Sequence, residues 1–186
     1  MLTDRFDDAL QLAAKLHRNQ ARKVSNTPYV AHLLAVTALV LEHGGDEDQA
    51  IAALLHDAVE DQGGIATGEL IRARFGGRVA DCVLACSDST EPEKEPWKRR
   101  KDRYIATLAS KSADALLVTS CDKLHNARSI LADMEEIGVA VFDRFTAKRD
   151  GTLWYYRALA DELTRLRPGP LSARLDATVT AIEARA

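Results

Sequence analysis

Residues 50–61 read AIAALLHDAVED, an apolar run closed by four ionisable side chains, His56, Asp57, Glu60 and Asp61. An unbroken apolar stretch of this composition predicts a buried helix, and the four polar residues stand at i, i+1, i+4 and i+5 along it. At about 3.6 residues per turn, Glu60 stacks over His56 and Asp61 over Asp57. One short surface then offers a histidine and an aspartate suited to a metal ion and, a turn later, two carboxylates.

The pattern around this run is helical throughout. Upstream, Phe6, Ala9, Leu10, Ala13 and Leu16 follow the helical period behind Thr3, an N-cap residue, so a first helix runs to about His17 or Asn19. After a polar, basic loop, Thr27-Pro28 predicts a cap with proline in the first turn of a helix carrying Val30, Leu33, Leu34 and Leu41, which Gly44-Gly45 ends. The acidic DEDQ at 46–49 suits the positive end of the helix dipole and opens the helix that carries the HD dipeptide. Downstream, Gly63-Gly64 and Gly76-Gly77 bracket a shorter helix from about Thr67 to Phe75, and another carries Val79, Val83 and Leu84. Pro96 restarts the pattern into WKRRKDRYIATLAS at 97–110, and Ser112 caps a long helix that Gly138 ends. LWYYRALADELTRL at 153–166 predicts a helix stopped by Pro168, and 171–185 a final one. No strand alternation, repeat or linker interrupts the series, so the expected fold is all-α, a single-domain bundle of eight to ten helices over residues 1–186.

Composition narrows the classes of function. The chain of 186 residues has a net charge of −3, which leaves no whole-protein attraction to nucleic acid or an anionic membrane. The N-terminus has no basic segment leading into an apolar one, and no stretch is apolar enough to span a bilayer, so the expectation is a cytoplasmic protein acting on a small molecule. Cys82, Cys86 and Cys121 lack metal-binding spacing and read as buried thiols.

Two other helices carry a polar residue among apolar ones that is suited to join His56 and Asp57: His32 in YVAHLLAV and Asp122 in TSCDKLHNAR. Alone, each is an ordinary hydrogen-bonded core residue. Together they form a mixed nitrogen and oxygen set that leaves positions for water on a divalent ion, which favours manganese or iron over a closed tetrahedral zinc site. Glu60 and Asp61 are then placed to take a proton from an attacking water.

The order His32, His56-Asp57, Asp122 resembles the H…HD…D pattern of HD-domain phosphohydrolases. The stretches HRNQARKVSNTPYVAHLLAV (17–36), ALLHDAVED (53–61) and TSCDKLHNARSIL (119–131) are most similar to the hydrolase domain of RelA/SpoT-type proteins, and among these to the stand-alone small alarmone hydrolases. The resemblance covers about residues 5–160. It implies an HD-type helical bundle with one Mn2+ ion held by His32, His56, Asp57 and Asp122, Fe2+ being the alternative. It implies removal of the 3′-pyrophosphate of (p)ppGpp, with Glu60 and Asp61 orienting or deprotonating the water, and no synthetase or regulatory region in this chain.

The substrate contacts follow partly from chemistry and partly from that resemblance. Arg22 is assigned to the base and Lys23 to phosphate by resemblance, and a guanidinium plane suits a base face. In the basic run from Trp97 to Tyr104 the cations spread around a helix, so only one or two face a single ligand; Lys98 and Arg103 are the candidates. Asn126 lies one turn beyond Asp122 on the same face, with Ser129 nearby, and Tyr155 and Tyr156 match an aromatic patch near the family's nucleotide pocket. Where the family often has Ser after Arg-Lys, this chain has Val24, which leaves (p)ppGpp and (p)ppApp both open as substrates. Two other readings use the same residues: an HD-domain nucleotidase or NADPH 2′-phosphatase releasing orthophosphate, and a nucleotide sensor without turnover.

Overall fold

The structure is a computed structural model that describes residues 1–22, 26–88 and 95–186. Among these residues there are ten α-helices: α1 Asp4–Leu16, α2 Val30–Glu42, α3 Glu47–Leu55, α4 Ala58–Asp61, α5 Gly64–Phe75, α6 Gly77–Cys86, α7 Trp97–Thr107, α8 Ala113–Ile137, α9 Lys148–Leu166 and α10 Pro170–Arg185. Short 3-10 segments occupy Leu108–Ser110 and Gly138–Arg144. The only β-type pairing in the described chain is an isolated antiparallel bridge between Ala21 and Pro28. The all-α expectation therefore holds. No described helix is long and apolar enough to cross a membrane.

The chain forms two compact units, Met1–Lys94 with Lys111–Cys121, and Glu95–Ser110 with Asp122–Ala186. The first is built around α3. Every residue from Ala50 to Leu55 is buried, so this helix is apolar on all sides and α1, α2 and α6 pack against it. Its start is fixed by a capping box, in which the Asp46 side chain accepts from the Gln49 amide and the Gln49 side chain accepts from the Asp46 amide. Arg78 of α6 ties that end to α8, donating to Asp114 at 2.7 and 3.0 Å and to Asp46 at 2.7 Å. The α2–α3 turn is close-packed: a Cβ on Gly45 would lie 2.4 Å from Val40 Cγ1 and 2.8 Å from Val40 O.

In the second unit α9 packs on α10 and α7 packs on α9. Leu159 and Leu163 of α9 and Leu171, Leu175, Val179 and Ile182 of α10 are buried. Arg157 bridges the same two helices, donating to Glu183 at 2.7 and 3.0 Å and to Asp176 at 2.6 Å. Trp97 of α7 lies edge-on to Trp154 and Tyr155 of α9, with centroids 6.2 and 5.9 Å away.

Several helix boundaries differ from the sequence reading, including the start of α5, at Gly64 rather than about Thr67. The run through AIAALLHDAVED is not one helix: α3 stops at Leu55 and α4 begins at Ala58, with His56 and Asp57 forming a turn between them. Pro28 lies outside α2, because the backbone around it pairs back on the preceding loop, with Tyr29 N–H donating to Gln20 O and Arg22 N–H to Thr27 O. The start of α9 also differs: the helix begins at Lys148, before the apolar pattern becomes clear.

Candidate metal centre

The break at His56-Asp57 brings two adjacent side chains together. On a straight helix they would point about 100° apart. Here His56 Nε2 lies 3.0 Å from Asp57 Oδ2, and His32 Nε2, carried in from α2, lies 3.5 Å from the same oxygen. Both imidazoles are buried, and their rings meet edge to face at 5.2 Å. The ligand atoms of His32, His56 and Asp57 all fall within 4.8 Å of one another.

Hydrogen bonding assigns the His56 tautomer. Its Nδ1 is 2.8 Å from Ala53 O, and because a carbonyl only accepts, Nδ1 carries the proton. Nε2 then meets the Asp57 carboxylate across 3.0 Å, a contact that requires a shared cation, whether proton or metal ion. Metal–ligand bonds of about 2.0–2.2 Å separate two donors on one ion by roughly 3–4 Å. Two buried imidazole nitrogens and a carboxylate oxygen at these spacings fit a divalent ion.

Around the cluster runs a set of polar contacts that sequence reasoning did not single out. Tyr29 O–H donates to Asp57 Oδ2 at 2.6 Å, and the Tyr29 ring lies edge-on to His32 at 5.5 Å. His17 stacks on the other side of Tyr29, with centroids 5.3 Å apart and planes at 16°. Burial holds the His17 imidazole below its usual range, against the opposing hydrogen bond to Gln20, so the ring is neutral. Its Nδ1 is 2.7 Å from Gln20 Oε1; Gln20 Nε2 donates to Asp61 Oδ2 at 2.8 Å, and Gln62 Nε2 donates to Gln20 Oε1 at 2.6 Å. The available signal for Tyr29 was its place one turn before His32. Gln20 had none, since its partners Asp61 and Gln62 lie more than forty residues away. Glu60 Oε2 accepts from the Asp88 amide at 3.3 Å.

Asp122 is buried and belongs to the second unit. Its carboxylate accepts from Asn126 Nδ2 at 2.5 Å and from Lys123 Nζ at 2.7 Å. Asn126 thus touches the carboxylate directly, as its spacing predicted. Lys123 was missed. Burial works against its ammonium, but Asp122 beside it and the tyrosine oxygens of Tyr104 and Tyr155 hold it charged, with a proton affinity well above the ordinary lysine range. Ser129 donates to His125 O at 3.0 Å, a bond within its own helix.

Tyr155 is buried among Trp97, Trp154 and Tyr156, and Lys101 lies over its ring at 5.0 Å. Tyr156 is half-buried beside it. Lys98 sits over Trp154 at 3.6 Å and pairs with Asp102, and Arg103 pairs with Glu95, so both cations have local carboxylate partners. The Arg22 backbone closes the neck of the basic loop by its bond to Thr27. Lys23, Val24 and Ser25 lie outside the described residues. The three cysteines are free thiols, with Cys82 and Cys121 buried and Cys86 half-buried.

Comparison with known proteins gives consistent findings. The family model described as "HD domain" matches residues 9–153. The guanosine-3′,5′-bis(diphosphate) 3′-pyrophosphohydrolase of Drosophila melanogaster is 37% identical over 129 residues, covering 68% of this chain and 69% of that protein. The enzyme of the same name from Xenopus tropicalis is 36% identical over 126 residues, covering 66% and 68%. A solved structure described as a metazoan ortholog of SpoT that hydrolyses ppGpp superimposes with a TM-score of 0.79 at 30% identity, covering 97% of this chain and 96% of that one.

Proposed function

Because the chain belongs to the HD-domain family, we propose that it is a metal-dependent small alarmone hydrolase, acting in the cytoplasm on a guanosine or adenosine 3′-pyrophosphate. The products are pyrophosphate and the nucleoside di- or triphosphate. We read residues 1–186 as one catalytic domain of this type. The observation that carries the proposal is the convergence of His32, His56 and Asp57 within 4.8 Å, directly before the Glu60-Asp61 pair.

In this reading His32, His56 and Asp57 hold the ion, and the family resemblance adds Asp122 as a further ligand. A bound divalent ion, proposed to be Mn2+ with Fe2+ as the alternative, would acidify a water and draw charge from a phosphoryl oxygen. The protein's own groups do the rest. Glu60 and Asp61 receive the proton of the attacking water, directly or through a second water. Tyr29 fixes the rotamer of Asp57 through its 2.6 Å hydrogen bond. Asn126 and Lys123 orient Asp122. Arg22 and Lys23 take the base and a phosphate, with Lys98, Arg103, Ser129 and Tyr155 as further candidate contacts. Lys98 and Arg103 would have to exchange Asp102 and Glu95 for phosphate oxygens.

The test is product identity. Metal-stripped protein reconstituted with Mn2+ is expected to release pyrophosphate from ppGpp or ppApp, and His56→Ala is expected to abolish the release. Orthophosphate as the product, from these nucleotides or from NADPH or deoxynucleotides alone, would favour the phosphatase reading. Tight alarmone binding with no product at high enzyme concentration would favour the sensor.

A further inference from the structure

We propose that Gln20 is a positioning residue, whose carboxamide sets the orientation of Asp61 directly and of Asp57 through His17 and Tyr29. The proposal rests on the hydrolase reading for its kinetic consequences and on the geometry alone for its effect on metal binding.

The Gln20 amide can be oriented without ambiguity. Asp61 Oδ2, which only accepts, lies 2.8 Å from Nε2, so Nε2 is the donor end and Oε1, 2.6 Å from Gln62 Nε2, is the acceptor end. The same oxygen is 2.7 Å from His17 Nδ1, which must therefore carry its proton. The opposite end, Nε2, faces Asp61 Oδ2 at 2.8 Å and donates to it. A flipped amide would set an N–H2 against the Gln62 amide nitrogen and an oxygen against a carboxylate. Asp61 therefore fixes the polarity of Gln20, and Gln62 follows it.

From this amide two chains of contacts reach the centre. One is direct. Asp61 is an exposed carboxylate at the last position of the one-turn helix α4, and an exposed side chain must lose rotamer freedom to hold one pose. The Gln20 N–H supplies the aim. The other chain passes through His17, which is 2% exposed and is held by Gln20 face to face with Tyr29, whose hydroxyl donates to the ligand oxygen of Asp57. A single side chain thus sets the pose of Asp61 and supports that of Asp57.

Loop closure does not account for this side chain. The neck of the 20–29 loop is closed by backbone bonds, Tyr29 N–H to Gln20 O at 2.9 Å and Arg22 N–H to Thr27 O at 2.8 Å. Replacing the Gln20 side chain leaves both intact. Its side-chain hydrogen bonds go to Asp61 itself, to Gln62 and to His17.

Two substitutions separate the chains. At pH 8, Gln20→Glu still accepts from His17 and Gln62 but turns a second carboxylate toward Asp61. Gln20→Met removes every bond. With ppGpp as substrate, Gln20→Glu is expected to lower kcat ~10- to 100-fold, the scale of a misplaced reacting group, with KM within about twofold of wild type. Its Mn2+ affinity, measured by calorimetry, should not weaken. Gln20→Met is expected to lose kcat similarly and in addition to bind Mn2+ several-fold more weakly, with a thermal midpoint that confirms folding. A kcat for Gln20→Glu within twofold of wild type, or equal weakening of Mn2+ binding in both variants, would overturn the proposal. Wild-type protein inactive on alarmones would sink the hydrolase reading instead, and the Mn2+ contrast would still decide this one.

Discussion

Replacing Tyr29 by Phe deletes one hydroxyl and little else. The ring keeps its stack on His17 at 5.3 Å and its edge contact with His32 at 5.5 Å, so the packing around the candidate ligands is retained. What disappears is a 2.6 Å O–H···O bond to Asp57 Oδ2, within the range of charge-assisted bonds to a carboxylate. Hydrogen bonds to charged groups contribute about 1.5–3 kcal/mol, and the Asp57 side chain is 22% exposed, which places this one toward the lower figure. About 1.4 kcal/mol is a factor of ten in affinity, which agrees with the 10- to 100-fold losses typical when a partner of a metal ligand is removed. Tyr29→Phe is therefore expected to bind Mn2+ roughly tenfold more weakly by calorimetric titration of metal-stripped protein. At the same saturating Mn2+ concentration its metal-induced stabilisation should be smaller by about 1.4 kcal/mol. For a chain of this size that is a thermal shift smaller by about 3–6 °C. Equal Mn2+ affinity and equal thermal shifts in the two proteins would refute the assignment of Asp57 as a ligand oriented by Tyr29.

Glu60→Gln should lower turnover about 10²- to 10³-fold while Mn2+ binding stays within a few-fold, measured by pyrophosphate release and calorimetry; retained turnover would remove Glu60 from the chemistry. Arg78→Ala should cost about 1 kcal/mol of stability in denaturant unfolding, because its partners form an exposed network, and the loss should shrink in high salt. The hydrogen bond from Arg78 holds the Asp114 carboxyl below its usual range, against burial and with help from the Arg78 charge and Gln49. A depressed folded-state value means that this stabilisation is present above pH ~4 and is lost as the pH falls through the folded value, so wild type and variant should converge in acid. A gap that stays constant from neutral pH to pH 3 would refute it. Leu163→Ala, at a fully buried position in the α9–α10 core, should destabilise by about 2–5 kcal/mol; a change under 1 kcal/mol would contradict that packing.

Local signals located most of the helices because each one was written into a few adjacent residues. The acidic DEDQ opens α3 as read, where Asp46 and Gln49 add a capping box, and Ser112 accepts from the Ala115 amide at the start of α8. The errors lie where a tertiary partner competes for the backbone. Thr27-Pro28 reads as a helix start, yet Gln20 and Ala21 engage that segment, and the helix begins later. AIAALLHDAVED reads as one helix, and its break at Asp57 cannot be inferred from propensity, since His56 and Asp57 are both compatible with continuing it.

Residue types and their spacing were enough to determine that this chain is helical, that His32, His56, Asp57 and Asp122 are its candidate ligands, and that two carboxylates follow one turn on. Only the tertiary structure decided that His32 and the HD pair share one oxygen's neighbourhood, and that Tyr29, His17, Gln20 and Gln62 stand behind it. The physical reason is one of range. Helix periodicity and capping act over four residues and can be read along the chain, whereas the contact between Gln20 and Asp61 spans a separation of 41 residues and exists only after α3 is buried among its neighbours.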